Sequence, residues 1–276
     1  MLTVRIGHCP DPDDAFMFHA LTAGKVTIPD VGIELVLEDI EALNRRARAG
    51  DLDVTAVSVA TYALVADRYR LLDAGAAMGK GYGPVLVARE RIDPAEIPQR
   101  VVAIPGSHTT ASLVMRLYLP EEPPLIEVAF DRIPRVVLDG QADLGLLIHE
   151  GQLTHSSLGL VKVLDLAEAW LADTKLPLPL GVNVVRRDLG EPMQRALSRG
   201  VRESIAWAQA HPDEALDHAM RYGRGMDRET CRRFVSMYVN DYTTTLGEEG
   251  RAALVRLYGD AHRRGLLPAV PPIDPV

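Results

Sequence analysis

His149 closes an apolar run, Leu144-Gly145-Leu146-Leu147-Ile148. A half-desolvated imidazole at such a strand end is suited to take up a proton near neutral pH. The plainer reading is an ordinary hydrogen-bonded histidine at the end of a strand. Glu150 follows directly, so in a strand it points to the opposite face and does not orient the same ring. A second chemistry, anion binding, is suggested by residues 101–119. The apolar run 101–104 predicts a buried strand, Pro105-Gly106 breaks it, and Ser107, Thr109 and Thr110 precede the helical pattern of Leu113, Val114, Leu117 and Tyr118. The first N–H groups of a helix lack intrahelical partners and the helix dipole adds positive potential, so a carboxylate or phosphate suits this place. Thr109 and Thr110 add hydroxyl donors, while Gly106 and Ser107 let the backbone approach a ligand closely. Ser107 or Thr109 as a simple N-cap is the alternative, and His108 is expected to point outward.

Two further groups sit at strand ends. Thr55, Ala56, Val57 and Ser58 close one strand and open a helix, forming either a second donor cluster with room for a planar ring or plain strand–helix packing. Asp13 and Asp14 lie in the loop HCPDPDD. They suit sugar hydroxyls, or they cap the following helix, and capping is the stronger expectation for Asp14.

Several other chemistries find no pattern. The four lysines, Lys25, Lys80, Lys162 and Lys175, avoid apolar strand ends, which argues against a Schiff base. No Gly-x-Ser-x-Gly elbow occurs, and the glycines of 79–83 lack the Lys-Ser/Thr and helix of a phosphate loop. That loop reads as a mobile approach to a crossing, with Tyr82 placed to stack on a substrate ring. Asp13 and Asp14 have only His8 and His19 near them as metal partners, so no metal is expected. Cys9 and Cys231 lack metal-ligand spacing and fit a reducing cytosol. The net charge of −8, without basic blocks, excludes a nucleic-acid partner. The absence of a long apolar stretch leads to the expectation of a cytoplasmic protein with no membrane partner.

The elements that must position these residues alternate. Strands are expected at 3–7, 33–38, 53–58, 85–88, 101–104, 126–130, 142–150, 160–165 and 182–185, with a further strand region at 71–78. Helices are expected at 15–23, capped by Asp13 or Asp14, and at 40–49, 59–66, 133–139 and 167–172; residues 176–181, LPLPLG, break the pattern. From 192 to 267 the chain reads as nearly all helix. Alternation of this kind implies parallel sheets in an α/β fold. Extended stretches near 83–89 and 177–187 read as two crossings. Lobe one is then 1–87 with 183–276, and lobe two is 88–182. A ligand cleft is expected between them, near strand ends and helix starts.

With that organisation, the segments 8–21, 53–65, 81–88, 105–111, 144–154 and 176–189 make the chain resemble the type II periplasmic-binding-protein fold. Within it, the chain is similar to the naphthoate-forming lyases of the futalosine route to menaquinone, the 1,4-dihydroxy-6-naphthoate synthase family. The resemblance implies conversion of cyclic dehypoxanthine futalosine to the naphthoate with release of a sugar-derived fragment. It also implies a small anionic substrate, no metal or organic cofactor, and His149 as the catalytic base. Chorismate dehydratase of the same route, and a non-catalytic small-anion solute-binding protein, are the alternatives.

Overall fold

The computed structural model describes residues 2–276. Strands and helices alternate from the start: β1 (Leu2–His8), α1 (Pro12–Thr22), β2 (Val31–Leu37), α2 (Ile40–Ala49), β3 (Val54–Ser58), α3 (Val59–Val65), β4 (Tyr69–Leu71) and β5 (Ala77–Gly79). The chain then enters a second sheet through β6 (Val85–Ala88), β7 (Val102–Ile104), α4 (Thr110–Tyr118), β8 (Leu125–Glu127), α5 (Ile133–Leu138), β9 (Leu144–Leu147), α6 (Gly151–Thr154), β10 (Val161–Asp165) and α7 (Leu166–Thr174). Strand β11 (Leu178–Arg186) returns to the first sheet. The helices α8 (Glu191–Ala210), α9 (Pro212–Ala219), α10 (Arg228–Tyr238), α11 (Asp241–Thr244) and α12 (Gly247–Arg263) follow it.

The first sheet has the order β2-β1-β3-β11-β4, with β5 on β11, and the second has β10-β6-β9-β7-β8. Neither is purely parallel, which corrects the sequence expectation. β1 runs parallel to β2 and β3, but β11 is antiparallel to β3, β4 and β5, and β6 is antiparallel to β9 and β10. The strands that carry the chain between sheets run backwards, because each is reached by a crossing and not by a βαβ turn. The LPLPLG segment was expected to break the pattern; it lies largely within β11, where a register shift between Pro179 and Gly181 absorbs the proline that cannot donate to a ladder.

The local chemistry explains most boundaries. α2 starts where the Asp39 side chain accepts from the N–H groups of Glu41 and Ala42, and it stops at Gly50 in the left-handed region. α1 begins earlier than expected, with Pro12 in its first turn and Asp11 at the N-cap position. Neither Asp13 nor Asp14 caps it; both lie inside its first turn. The segment expected as a strand at 142–150 stops at Leu147, because His149 turns into positive φ (50°). The strand at 126–130 is likewise shorter, and Phe130–Arg132 forms a 3-10 turn.

The cores hold the sheets against their helices. Val4, Ile6, Phe18, Leu197 and Val201 join β1, α1 and α8 in one core, and Val85, Val87, Ile133 and Val137 pack α5 on the second sheet. A larger cluster, with Tyr62, Trp170, Leu146, Val184 and Tyr258, spans both sheets. No helix among the described residues is long and apolar enough to cross a membrane.

The approach of α5 to β9 depends on Gly145. A Cβ there would stand 2.6 Å from Ile133 Cγ2 and 2.8 Å from Val137 Cγ2, and both are stiff β-branched side chains. Gly145→Ala is expected to cost about 1–3 kcal/mol of stability by overpacking, read as a lower urea midpoint at unchanged m-value.

Candidate active site

The ends of β1, β3 and β9 and the start of α4 converge on one pocket of about 720 Å³, mouth included. Asp11, Asp13 and Asp14 reach it from the β1–α1 turn, Ala56, Val57 and Ser58 from β3, Thr109 and Thr110 from α4, and His149 from the turn after β9.

His149 is held from one side only. Its Nδ1 lies 3.2 Å from Oδ2 of Asp11, whose side chain is 2% exposed. Its Nε2 is buried and has no hydrogen-bond partner. Phe130 packs edge-on against the ring at 4.8 Å between centroids. The positive φ of His149 is uncommon for a residue with a Cβ and costs of order 1–3 kcal/mol. Glu150 does not share a strand with His149; it sits in the turn before α6 and meets Arg224. Arg224, also at positive φ (45°), brings Nη2 to 2.6 Å from Asp11 Oδ1 and Nη1 to 3.2 Å from Glu150.

Beside the turn of His149, after the neighbouring parallel strand β7 of the same sheet, comes the start of α4. The Thr109 hydroxyl caps the helix by accepting from the Ser112 N–H at 3.2 Å, and it donates to Gly106 O at 2.9 Å. The Thr110 hydroxyl is already used: it donates to Leu180 O at 2.6 Å and accepts from the Ala60 N–H at 3.2 Å. Those two bonds tie α4 to α3 and β11. The N–H groups of Thr110 and Ala111, in the first turn, have no intrahelical carbonyl to meet. Ser58 is fixed by Asn44, which donates to its Oγ at 3.1 Å and accepts from its N–H at 2.8 Å.

Four of the sequence candidates, Thr55, Gly106, Ser107 and Tyr82, lie outside the pocket lining. Thr55 is fully buried on β3 beside Gly7 of the neighbouring β1, where its Oγ1 would stand 2.9 Å from a Cβ on Gly7. Ser107 is exposed, and its N–H donates to Glu127 at 2.9 Å. Gly106 supports the site from behind: a Cβ on it would lie 2.4 Å from Glu41 Oε2. Glu41 in turn holds His108 Nδ1 at 2.7 Å, so that ring pairs with a carboxylate beside the helix start. Tyr82 is not on the pocket wall; it packs edge-on against Tyr238, which is.

Sequence reasoning missed Asp11, Gln152, Asn183, Arg224 and Tyr238. Asp11 was hidden among three similar aspartates. Arg224 and Tyr238 come from the C-terminal helical region, where no motif marks them. Gln152 donates to the Tyr238 hydroxyl, and burial raises that phenol well above its usual range.

The aspartates of α1 form the third wall. Asp14 accepts from the Cys9 N–H at 2.8 Å. Burial pushes its carboxyl up to about 7 against that hydrogen bond, with Asp11 adding repulsion. Burial, then the charges of Asp14 and Asp11, raises Asp13 well above the carboxylate range, and its Oδ1 has no partner. Among the described residues no group of three His, Cys, Asp or Glu could hold a metal ion.

The chain is similar to several known proteins. A family model described as menaquinone biosynthesis matches residues 4–263. The 1,4-dihydroxy-6-naphthoate synthase of Thermus thermophilus is 46% identical over 266 residues, 96% of each chain. A crystal structure of an Archaeoglobus fulgidus protein superposes with a TM-score of 0.91 at 50% identity, covering 96% of this chain and 98% of that one. The alkanesulfonate-binding protein of Xanthomonas axonopodis pv. citri, bound to MOPS, shares the fold: TM-score 0.74, 10% identity, 98% of this chain and 96% of that one.

The raised Asp14 carboxyl has a measurable consequence. The unfolded chain loses this proton near the ordinary carboxylate value, about 3.9, while the folded chain keeps it to about 7. Stability of the empty protein therefore falls as pH rises from about 4 to 7 and levels off above. Asp14→Asn, which keeps an acceptor for Cys9, is expected to be more stable than the parent at pH 8 and to lose that advantage at pH 4–5. Urea unfolding at the two pH values measures it; an advantage independent of pH would refute the assignment.

Proposed function

The chain belongs to the menaquinone biosynthesis family, and from that premise we propose that it is a 1,4-dihydroxy-6-naphthoate synthase in which His149 is the general base. Its relatives carry the synthase name rather than that of a dehydratase. The single observation behind the base assignment is the environment of His149, with one ring nitrogen against a buried carboxylate and the other unpartnered and buried in the pocket wall. A protein that only binds needs no such arrangement.

The substrate, cyclic dehypoxanthine futalosine, carries a carboxylate and a sugar-derived portion. The carboxylate fits the start of α4, where the Thr110 and Ala111 N–H groups and the helix dipole offer a cradle despite the net charge of −8. This reading keeps Thr109, Thr110, Gly106 and Ser107 as the anion-binding segment, with Thr109 and Thr110 shaping it and Gly106 and Ser107 supporting its backbone. The ring lies along Ala56, Val57 and Ser58, beneath which Thr55 packs. The sugar portion then faces His149 and Asp14, whose protonated form donates a hydrogen bond to a hydroxyl oxygen. Nε2 of His149 removes a proton from the sugar portion. The pair left behind by that proton forms a new double bond in the sugar-derived fragment as its carbon–carbon bond to the ring system breaks; the pair of the broken bond passes into the ring system, which becomes aromatic, and the fragment leaves. Aromatisation supplies driving force, so one base suffices.

We take the lobes as 1–87 with 183–276 and 88–182, hinged at the two crossings, so that closure excludes water from the pocket. The free, buried thiols of Cys9 and Cys231 suit a cytoplasmic enzyme.

Incubation of the purified protein with cyclic dehypoxanthine futalosine is expected to give the naphthoate by mass, and no naphthoate would refute the activity. His149→Ala and His149→Asn are expected to lower kcat by on the order of 10²–10⁴-fold and to bind the naphthoate nearly as well as the parent; full turnover would dismiss the base. Thr109→Ala removes the cap of α4. It is expected to cost about 1 kcal/mol of stability and to raise KM more than it lowers kcat, because carboxylate binding is common to ground and transition states.

A further inference from the structure

We propose that Asp11 is the positioning residue of the His149 base and that Arg224 dictates which oxygen of Asp11 the imidazole meets. The inference rests on His149 being that base. The two oxygens of Asp11 are divided between two partners: Oδ2 faces His149 Nδ1 at 3.2 Å, and Oδ1 accepts from Arg224 Nη2 at 2.6 Å. An imidazole nitrogen facing a carboxylate oxygen carries the proton, which leaves the lone pair on Nε2. Nε2 is the nitrogen that is buried without a partner.

Arg224 is itself fixed. Its Nη1 donates to both oxygens of Glu150 at 3.2 Å, and its Nη2 also donates to Pro10 O at 3.2 Å. Its guanidinium lies 4.8 Å over the Phe130 ring, the same ring that packs against His149. Asp11 follows the end of β1 in the first sheet, and His149, Glu150 and Phe130 belong to the second. Arg224 comes from the C-terminal helical region. The base is therefore assembled from separate parts of the chain, and its tautomer is set only when the ends of β1 and β9 stand together.

Asp11→Asn tests this. Arg224 requires an acceptor, so the amide oxygen must face Arg224 and the NH2 must face His149 Nδ1. Nδ1 then has to accept, and the proton moves to Nε2. Asp11→Asn is expected to lower kcat by on the order of 10²–10⁴-fold with KM little changed. Asp11→Ala offers no amide to force that tautomer and is expected to keep more kcat than the asparagine variant. A purely structural role predicts the reverse order, since asparagine is the closer mimic. Nitrogen NMR of the imidazole reads the tautomer directly: protonated Nδ1 and bare Nε2 are expected in the unsubstituted protein, and protonated Nε2 in Asp11→Asn. The inference is overturned if Asp11→Asn keeps its kcat while His149→Ala is inactive, if asparagine is milder than alanine, or if the unsubstituted protein carries its proton on Nε2. Activity in His149→Ala would instead remove the base reading on which this inference stands.

Discussion

The pocket depends on one buried carboxylate. Asp11 is 1% exposed, and a charge taken so far out of water is tolerated only when its oxygens are matched by donors. Its partners come from distant parts of the chain: Arg224, from beyond α9, donates to Oδ1, and His149, from beyond β9, brings Nδ1 to 3.2 Å from Oδ2. Satisfying Asp11 thus brings the end of the first sheet, the end of the second and the C-terminal helical region to one point. The strain at His149 and Arg224, both at positive φ, is the conformational cost of aiming their side chains there, and tertiary contacts on every side hold it. Gly145 serves the same end from behind, since β9 reaches the site at that angle only if α5 lies close against it.

The proposed anion-binding end rests on different physics. The protein is acidic overall and cannot draw in an anion by its global field. Attraction has to be local, and a helix start supplies it without a single basic side chain. The two threonines there act chiefly on the framework. Thr109 caps α4, and Thr110 spans to Leu180 and Ala60. Their hydroxyls set where the N–H groups point, which is a more rigid arrangement than two free hydroxyls would give.

Much of this was legible in the sequence because the relevant signals are local. The Asp39 cap and Gly50 mark α2, apolar alternation marks β1, an unbroken apolar run marks β6, and Pro105-Gly106 with Thr109 marks the start of α4. Less legible were features set by long-range contacts. The antiparallel course of β6 and β11 follows from the crossings, which periodicity does not encode. The end of β9 at Leu147 follows from the backbone turn at His149, in a run whose side chains alone suit a longer strand. Asp11 could not be told from Asp13 and Asp14 by type or neighbourhood. Only the approach of Arg224, 213 residues away in the chain, separates it from them.

The three aspartates then divide by environment. Asp11 has an arginine and stays paired, whereas Asp13 and Asp14 lack a cation and are driven toward the protonated form by burial. A single stretch of four residues thus sets a carboxylate facing the imidazole beside carboxyls that burial drives toward the protonated form. Environments that push like groups apart in this way sort acid from base in an active site. The fold is shared with a sulfonate-binding protein. Turning such a binder toward proton chemistry requires a nitrogen kept free of partners and a second group that fixes its tautomer. In the proposed reading those two groups are His149 and Asp11, with the imidazole at the end of the strand beside the one that leads into α4.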